Sequence, residues 1–278
     1  MIYTIEIGLG NFMDLVRTTN SVPYKMPVVF LGHGTPMNAI ETNKYSLAWQ
    51  ELGLNLPKPK AILAISAHWY TKGIGVTAMQ HPKTIHDFGG FPQALFDFEY
   101  PAQGDAELAN QIKDLLSPEQ VILDQGWGLD HGTWSVLAHV YPKADIPVVQ
   151  LSIDSRLSGP EHVKLARKLS ELRKQGILIL GSGNVVHNLY KMNSQSDAPY
   201  YEWATQFNES VKENLLARNI DRLADYMRLP GAEMSVPTAE HYLPFLYITA
   251  LMEGEDPIHI LVDGLQGKSI SMFSVQIG

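Results

Sequence analysis

The amino-acid sequence predicts an α/β fold, with a single domain whose mostly parallel central sheet is flanked by helices. Two observations lead to this prediction. Short apolar runs without alternation, such as residues 28–31 and 61–66, are typical of strands covered on both faces of a parallel sheet. Segments with helical periodicity separate these runs, and strands that alternate with helices favour parallel pairing.

The predicted elements cover most of the chain after residue 26. Strands are predicted at 28–31, 61–66, 75–79, 121–123, 148–153, 177–180 and 271–276. Helices are predicted at 45–54, 105–116, 133–140, 160–174, 201–217 and 239–252. The helix at 160–174 is amphipathic, with His162 on its polar side. The long loop 81–92 is rich in turn-forming residues, and ordered loops of this kind commonly carry function.

Residues 1–25 are predicted to be an N-terminal extension of uncertain order, and residues 26–278 to form the domain. Residues 2–7 have the composition of a strand, or belong to a segment outside the fold. Gly8 and Gly10 resemble the start of a dinucleotide-binding fingerprint, but Met13 occupies the third glycine position. Glu6 interrupts the apolar core that a signal peptide needs, so we expect a cytoplasmic protein.

Composition excludes several classes of function. The chain has 278 residues and a formal net charge of −8, which argues against a nucleic-acid partner. It has neither a Lys/Arg run for a membrane surface nor an apolar stretch long enough to span a bilayer. It contains no cysteine, which excludes disulfides, thiolate metal ligands and a Cys nucleophile. Any metal ligands would therefore be histidine, carboxylate or water. The composition does not indicate the oligomeric state of the protein.

Three histidines follow predicted strands. His33 lies between two glycines at the end of the first strand, His68 comes shortly after the second, and His187 follows the Gly-Ser-Gly-Asn turn after a third. Ligands of open α/β sheets bind at the carboxyl ends of strands, and adjacent strands lie about 5 Å apart. A single histidine in this position is more commonly a hydrogen-bonded structural residue. Three in equivalent positions favour a metal site, since imidazole suits Zn, Cu, Fe and Ni.

Other histidines have weaker or competing interpretations. His241, beside Glu240 at a predicted helix start, is a fourth candidate metal ligand. His131 follows Asp130, a carboxylate that could orient it for acid/base work, or it is simply exposed at the start of a capped helix. His86-Asp87, in the loop 81–92, is a weaker candidate, for lining the substrate mouth. The remaining histidines are interpreted as structural: His81, His139, His162 and His259.

The sequence around Ser182 does not match a nucleophile elbow, because Leu180 and Asn184 occupy the two glycine positions of that motif. The same stretch fails as a dinucleotide loop, since Val186 takes the third glycine position. The sequence therefore gives no support for a serine hydrolase or for a nucleotide cofactor.

Several motifs between residue 26 and the C-terminus occur together in one order: GHGTPMNAI, SAHW, IHDFGGFP, WGLDHGTWSVL, VQLSID, GSGNVVHNL, PTAEHYLPFLY and SVQIG. In this combination the chain resembles the 4,5-DOPA dioxygenase extradiol family, which belongs to the class III (LigB-type) extradiol ring-cleavage dioxygenases. The resemblance is specific because many separate motifs coincide, and residues 1–25 fall outside it.

The resemblance implies one divalent metal ion per chain, Fe(II) for dioxygenase chemistry or Zn(II) as isolated. It implies His33, His68 and His241 as ligands, with His187 either a further ligand or the acid/base residue. His131 matches the histidine on the substrate side. Better-known members of the wider superfamily complete their ligand set with a glutamate, so Glu240 and His241 remain alternative third ligands.

The resemblance also implies the reaction. A catechol such as DOPA would be opened with O2 to give a muconic semialdehyde, so the expected small-molecule partners are a catechol and O2. Two other classes of function stay open at this point. One is a zinc-dependent hydrolase or lyase on the same fold, because zinc activates water but is redox-inert. The other is a non-catalytic metal-binding module.

Overall fold

One eight-stranded sheet forms the centre of the fold. The computed structural model of the protein describes residues 24–193 and 199–278. The ten strands in these ranges are β1 (Val28–Gly32), β2 (Ala61–Thr71), β3 (Ile74–Thr77), β4 (Val121–Asp124), β5 (Val148–Asp154), β6 (Ile177–Gly183), β7 (Ile258–Val262), β8 (Leu265–Gln266), β9 (Ile270–Ser271) and β10 (Ser274–Ile277). The sheet order is β4-β3-β5-β2-β6-β1-β10-β7, and β8 and β9 form a separate small hairpin.

The four central strands, β5, β2, β6 and β1, are parallel to one another. The strands on either side of this group, β3 and β10, run antiparallel to their central neighbours. The sheet is therefore mixed but mostly parallel at its centre, which confirms the predicted α/β class.

Helices cover both faces of the sheet. They are α1 (Lys44–Asn55), α2 (Gln93–Phe96), α3 (Ala106–Leu115), α4 (His131–Val140), α5 (Gly159–Arg167), α6 (Glu171–Lys174), α7 (Glu202–Leu216), α8 (Ile220–Ala224), α9 (Ala232–Ser235) and α10 (Leu243–Ala250). Several begin at side-chain caps, as at α1, where Asn43 and Ser46 form a capping box. Across residues 24–193 and 199–278, every helix falls short of the length and apolar character that crossing a bilayer requires.

The apolar runs lack alternation because the sheet has a core on each face. Val28 and Phe30 of β1 belong to one buried cluster, together with Phe245 of α10. Val29 and Leu31 belong to the second cluster, together with Trp49 of α1. Successive side chains of a strand point to opposite faces, so a strand buried on both sides needs an apolar residue at every position.

The structure corrects several predicted elements. The predicted helix 160–174 is two helices, α5 and α6, and His162 is buried within α5 rather than on a polar face. The predicted helix 239–252 is the shorter α10. Strand β7 was not predicted, because as the outermost strand of the sheet it is only partly buried. The strand considered at residues 2–7 lies outside the described residues, and the domain boundary at residue 26 stays a prediction.

Candidate metal centre

His33 and His68 approach each other from β1 and β2, which lie on either side of β6 in the sheet. His33 follows β1, and its backbone N–H donates to the carbonyl of Gly183 at the end of β6 (3.1 Å). His68 lies inside β2 rather than after it, which corrects the prediction. The register between β2 and β5 shifts there, between Ile65 and Tyr70. An irregularity of this kind changes the direction in which a side chain points. The Nε2 atoms of His33 and His68 lie 3.2 Å apart.

His241 and His187 complete one side of the cluster. The carbonyl of His241 accepts the backbone N–H of Asn184 (2.9 Å), which ties the segment before α10 to the turn after β6. Gly183 permits this approach, since a Cβ atom there would lie 2.2 Å from the same carbonyl oxygen. The backbone N–H of His187 donates to Ser235 (2.8 Å). The rings of His187 and His241 are stacked, with centroids 3.5 Å apart and planes 7° from parallel.

His131 is the first residue of α4 and lies against His68. The carboxylate of Asp130 caps this helix by accepting the backbone N–H of Thr133 (3.2 Å). His131 is nevertheless only 6% exposed, which excludes the interpretation of an exposed residue at a helix start. Its ring centroid lies 3.9 Å from that of His68 and 5.7 Å from that of His33. His131 therefore belongs to the histidine cluster.

Asp87, from the loop 81–92, connects His131 to His68. Its Oδ1 atom accepts the backbone N–H of His131 (2.9 Å) and lies 3.0 Å from His131 Nδ1. Its Oδ2 atom lies 3.2 Å from His68 Nδ1. The loop reaches this position because Ile85 donates to the carbonyl of Leu129 (2.7 Å), just before α4. The sequence indicates Asp87 only as the neighbour of His86 at the substrate mouth, and its contacts with His68 and His131 depend on the folded loop.

The structure does not bring His86 into the cluster. Its Nε2 donates to the carbonyl of Phe98 (2.9 Å), and its ring packs against Phe88, Phe96 and Trp134. Phe88 in turn packs edge-on against His131, with centroids 5.5 Å apart. The His86 ring thus contacts the cluster indirectly, through Phe88.

The hydrogen bonds of three histidines leave their Nε2 atoms free to bind a metal. The Nδ1 atoms of His68 and His241 each face a carboxylate, of Asp87 and Glu240 respectively, at 3.2 Å. A carboxylate can only accept, so both rings donate from Nδ1 and carry a lone pair on Nε2. His33 Nδ1 lies 3.0 Å from the hydroxyl of Ser182.

The spacing of the free nitrogens also fits a metal ion. Nitrogen ligands at about 2.1 Å from one ion are separated by roughly 3.0 to 3.4 Å, and the Nε2 atoms of His33 and His68 are 3.2 Å apart. The potential ligand atoms of His33, His68 and His241 all lie within 4.8 Å of one another. A divalent cation among them would relieve the repulsion between the facing lone pairs.

Glu240 lies in a different group of potential ligands, with His187 and His241. A metal ion lies in the plane of each imidazole that binds it. The rings of His187 and His241 are stacked with nearly parallel planes, and their centroids lie 3.5 Å apart. A single ion therefore cannot lie in the planes of both rings. The geometry therefore favours His33, His68 and His241 as one ligand set, with Glu240 as the hydrogen-bond partner of His241.

Burial determines the charge of these groups. It lowers the pKa of His33 and His241 well below the usual value, and neighbouring imidazoles lower it further. Burial also lowers the pKa of His187 to about 4. For Asp87, burial opposes ionisation, but hydrogen bonds from His131 and His68 bring its pKa well below the usual range. Burial opposes a charge on His68, but the hydrogen bond to Asp87 and the nearby carboxylates raise its pKa. At neutral pH the cluster thus combines neutral His33, His187 and His241 with an anionic Asp87.

Comparison with known proteins agrees with this geometry. The family described as the catalytic LigB subunit of aromatic ring-opening dioxygenase matches residues 27–274. This chain belongs to that family. It is 52% identical over 258 residues to a 4,5-DOPA dioxygenase extradiol of Escherichia coli (strain K12), an alignment that covers 91% of this chain and 95% of the relative. It is 40% identical to a 4,5-DOPA dioxygenase extradiol of Beta vulgaris, covering 82% and 87% of the two chains.

A solved structure shows the same fold. The crystal structure of an uncharacterized Escherichia coli K12 protein is 47% identical in sequence and superposes with a TM-score of 0.81, covering 91% of this chain and 100% of the other. Membership of the LigB family confirms the resemblance found in the sequence and makes the protein a metal-dependent extradiol ring-cleavage dioxygenase. It decides against the zinc hydrolase or lyase and against the non-catalytic module.

Proposed function

We propose that this extradiol dioxygenase opens the ring of a catechol such as DOPA and incorporates O2 to give a muconic semialdehyde. The observation that carries the proposal is the convergence of potential ligand atoms of His33, His68 and His241, with His187 and His131 beside them. The names of the relatives from Escherichia coli and Beta vulgaris support DOPA as the substrate.

We propose Fe(II) as the metal in the active enzyme, held by His33, His68 and His241. Three ligands on one side leave open positions for the two catechol oxygens and for O2. When bound, Fe(II) supplies Lewis acidity toward the catechol hydroxyls and redox chemistry toward O2. Zn(II) would occupy the same nitrogens in the protein as isolated, but it is redox-inert.

His187 is the proposed acid/base residue rather than a fourth ligand. Its ring is stacked on that of His241, so it lies beside the ligand set but outside the plane that an ion on His241 would occupy. Burial lowers its pKa to about 4, which keeps the ring neutral near pH 7. A neutral imidazole can accept the proton that a catechol hydroxyl loses on binding.

His131 acts on the opposite, substrate side. Asp87 holds its backbone N–H and lies 3.0 Å from its Nδ1, so the ring keeps one orientation while its other nitrogen is available to steer or protonate oxygen. Phe88 packs edge-on against His131 and provides an apolar surface for an aromatic ring. His86 contributes on this side by packing against Phe88.

Oxygen uptake tests the proposal directly. Metal-free protein is reloaded anaerobically with Fe(II) or Zn(II) and mixed with a panel of catechols that includes DOPA. We expect oxygen uptake and a semialdehyde product with Fe(II) but not with Zn(II). His259→Ala, which alters a histidine on the exposed strand β7, is the matched control and should retain full activity. Absence of uptake with every catechol in the Fe(II) protein would contradict the proposal.

A further inference from the structure

Ser182 lies fully buried on β6, between His33 and helix α4. Its Oγ atom is 2.5 Å from the carbonyl oxygen of Gly132 and 3.0 Å from Nδ1 of His33. A carbonyl oxygen carries no hydrogen, so the hydroxyl must donate its single proton to Gly132. The same oxygen is then left to accept a hydrogen bond, and Nδ1 of His33 must be the donor.

This arrangement fixes the tautomer of His33. With its proton on Nδ1, the ring presents a lone pair on Nε2, which is the atom that faces Nε2 of His68 at 3.2 Å. Without an acceptor at Nδ1, the proton could move to Nε2 and block that atom as a ligand. Asp87 and Glu240 play the same role for His68 and His241, since each accepts a hydrogen bond from Nδ1 of its histidine. They do so with a carboxylate, whereas Ser182 uses a neutral hydroxyl.

The hydroxyl also ties His33 to the first turn of α4. Gly132 follows His131, and the backbone packs so closely there that a Cβ atom would lie 2.4 Å from Ser66 Oγ and 2.9 Å from the His68 ring. The hydrogen bond from Ser182 to the Gly132 carbonyl therefore fixes the position of the turn that carries His131. One side chain connects the proposed ligand set to the substrate-side histidine.

We propose that Ser182 is a positioning residue of the metal centre: its hydroxyl holds His33 in the Nδ1–H tautomer and anchors the start of α4. The proposal rests on the proposed role of His33 as a ligand. It gives a function to the Gly181-Ser182-Gly183 stretch, which matches neither a nucleophile elbow nor a dinucleotide loop.

Two measurements on Ser182→Ala test this assignment. Loss of a hydrogen-bond partner behind a metal ligand costs about 10- to 100-fold in metal affinity, so we expect the Kd for Zn(II), measured by chelator competition, to rise by that factor. In protein with 15N-labelled histidine and bound Zn(II), we expect the slowly exchanging Nδ1–H signal of His33 to be lost. Ser135→Ala is the control, since it removes a buried hydroxyl of α4 that has no hydrogen-bond partner within residues 24–193 and 199–278. It should leave both measurements unchanged.

The outcomes separate this proposal from the proposed function. Wild-type Zn(II) affinity together with a retained His33 Nδ1–H signal in Ser182→Ala would overturn the role of Ser182. Unchanged Zn(II) affinity in His33→Ala would instead show that His33 is not a ligand, so that the proposed site fails. If Ser182→Ala does not fold, Ser182→Cys decides by the same two measurements, because its thiol fills the space but is a weak acceptor. Wild-type values in that variant would overturn the proposal.

Discussion

Replacing Asp87 by asparagine keeps the shape of the side chain but removes the charge that holds His68 and His131. The amide oxygen can still accept the His131 backbone N–H, but the amide NH2 then faces His68 Nδ1 and cannot accept its hydrogen bond. A hydrogen bond to a charged group contributes about 1.5–3 kcal/mol. Its loss corresponds to roughly 10- to 150-fold weaker metal binding.

Chelator competition with Zn(II) measures this change, and kcat/KM of the Fe(II) enzyme measures the accompanying loss of orientation at His131. The matched control is Asp97→Asn, because the Asp97 carboxylate accepts a hydrogen bond from Gln93 at the end of α2, outside the histidine cluster. We expect the control to retain wild-type values. A Zn(II) affinity of Asp87→Asn within twofold of the wild type would refute the reasoning.

Three further predictions concern His187 in the metal centre and two buried residues elsewhere in the fold, His162 and Arg173. His187→Ala should lower kcat by 10²-fold or more in the Fe(II) enzyme, since general acid/base residues contribute that much; undiminished oxygen uptake would refute the assignment. Burial lowers the pKa of His162 to about 4, so neutral His162 contributes stability that is fully present above pH 6.5 and is lost as the pH falls toward 4. His162→Gln should therefore reduce the fall in unfolding free energy between pH 6.5 and pH 4. Urea titrations at several pH values measure this fall, and the same fall as in the wild type would contradict the prediction. Arg173→Met should lower the unfolding free energy by about 3–5 kcal/mol in the same titrations. The buried guanidinium donates hydrogen bonds to Asp256 and to the carbonyls of Met26, Leu251 and Ile277. Lys174→Met, which removes an exposed ion pair, should have little effect.

The strand-end histidines could be predicted because topology alone brings them together. A buried parallel strand is recognisable as an apolar run, and the carboxyl ends of neighbouring strands share one edge of the sheet. β1 and β6 are paired, so His33 and His187 were predictable from their spacing to those runs. His68 was found for a partly wrong reason, since β2 continues past it to Thr71.

The remaining parts of the centre depend on tertiary geometry that local patterns do not contain. Asp87 is 44 residues from His131, and only the folded loop brings them together. Glu240 and His241 are adjacent in sequence, so the choice between them depends on which side chain faces His33 and His68. Strand β7 was missed because a partly exposed edge strand has a weak apolar pattern.

Anomalous diffraction from crystals loaded with Fe(II) would locate the metal relative to the histidine cluster. We expect one iron peak per chain, within bonding distance of the Nε2 atoms of His33, His68 and His241 and not of His187. A peak between His187 and Glu240, or iron bound away from these histidines, would contradict this expectation.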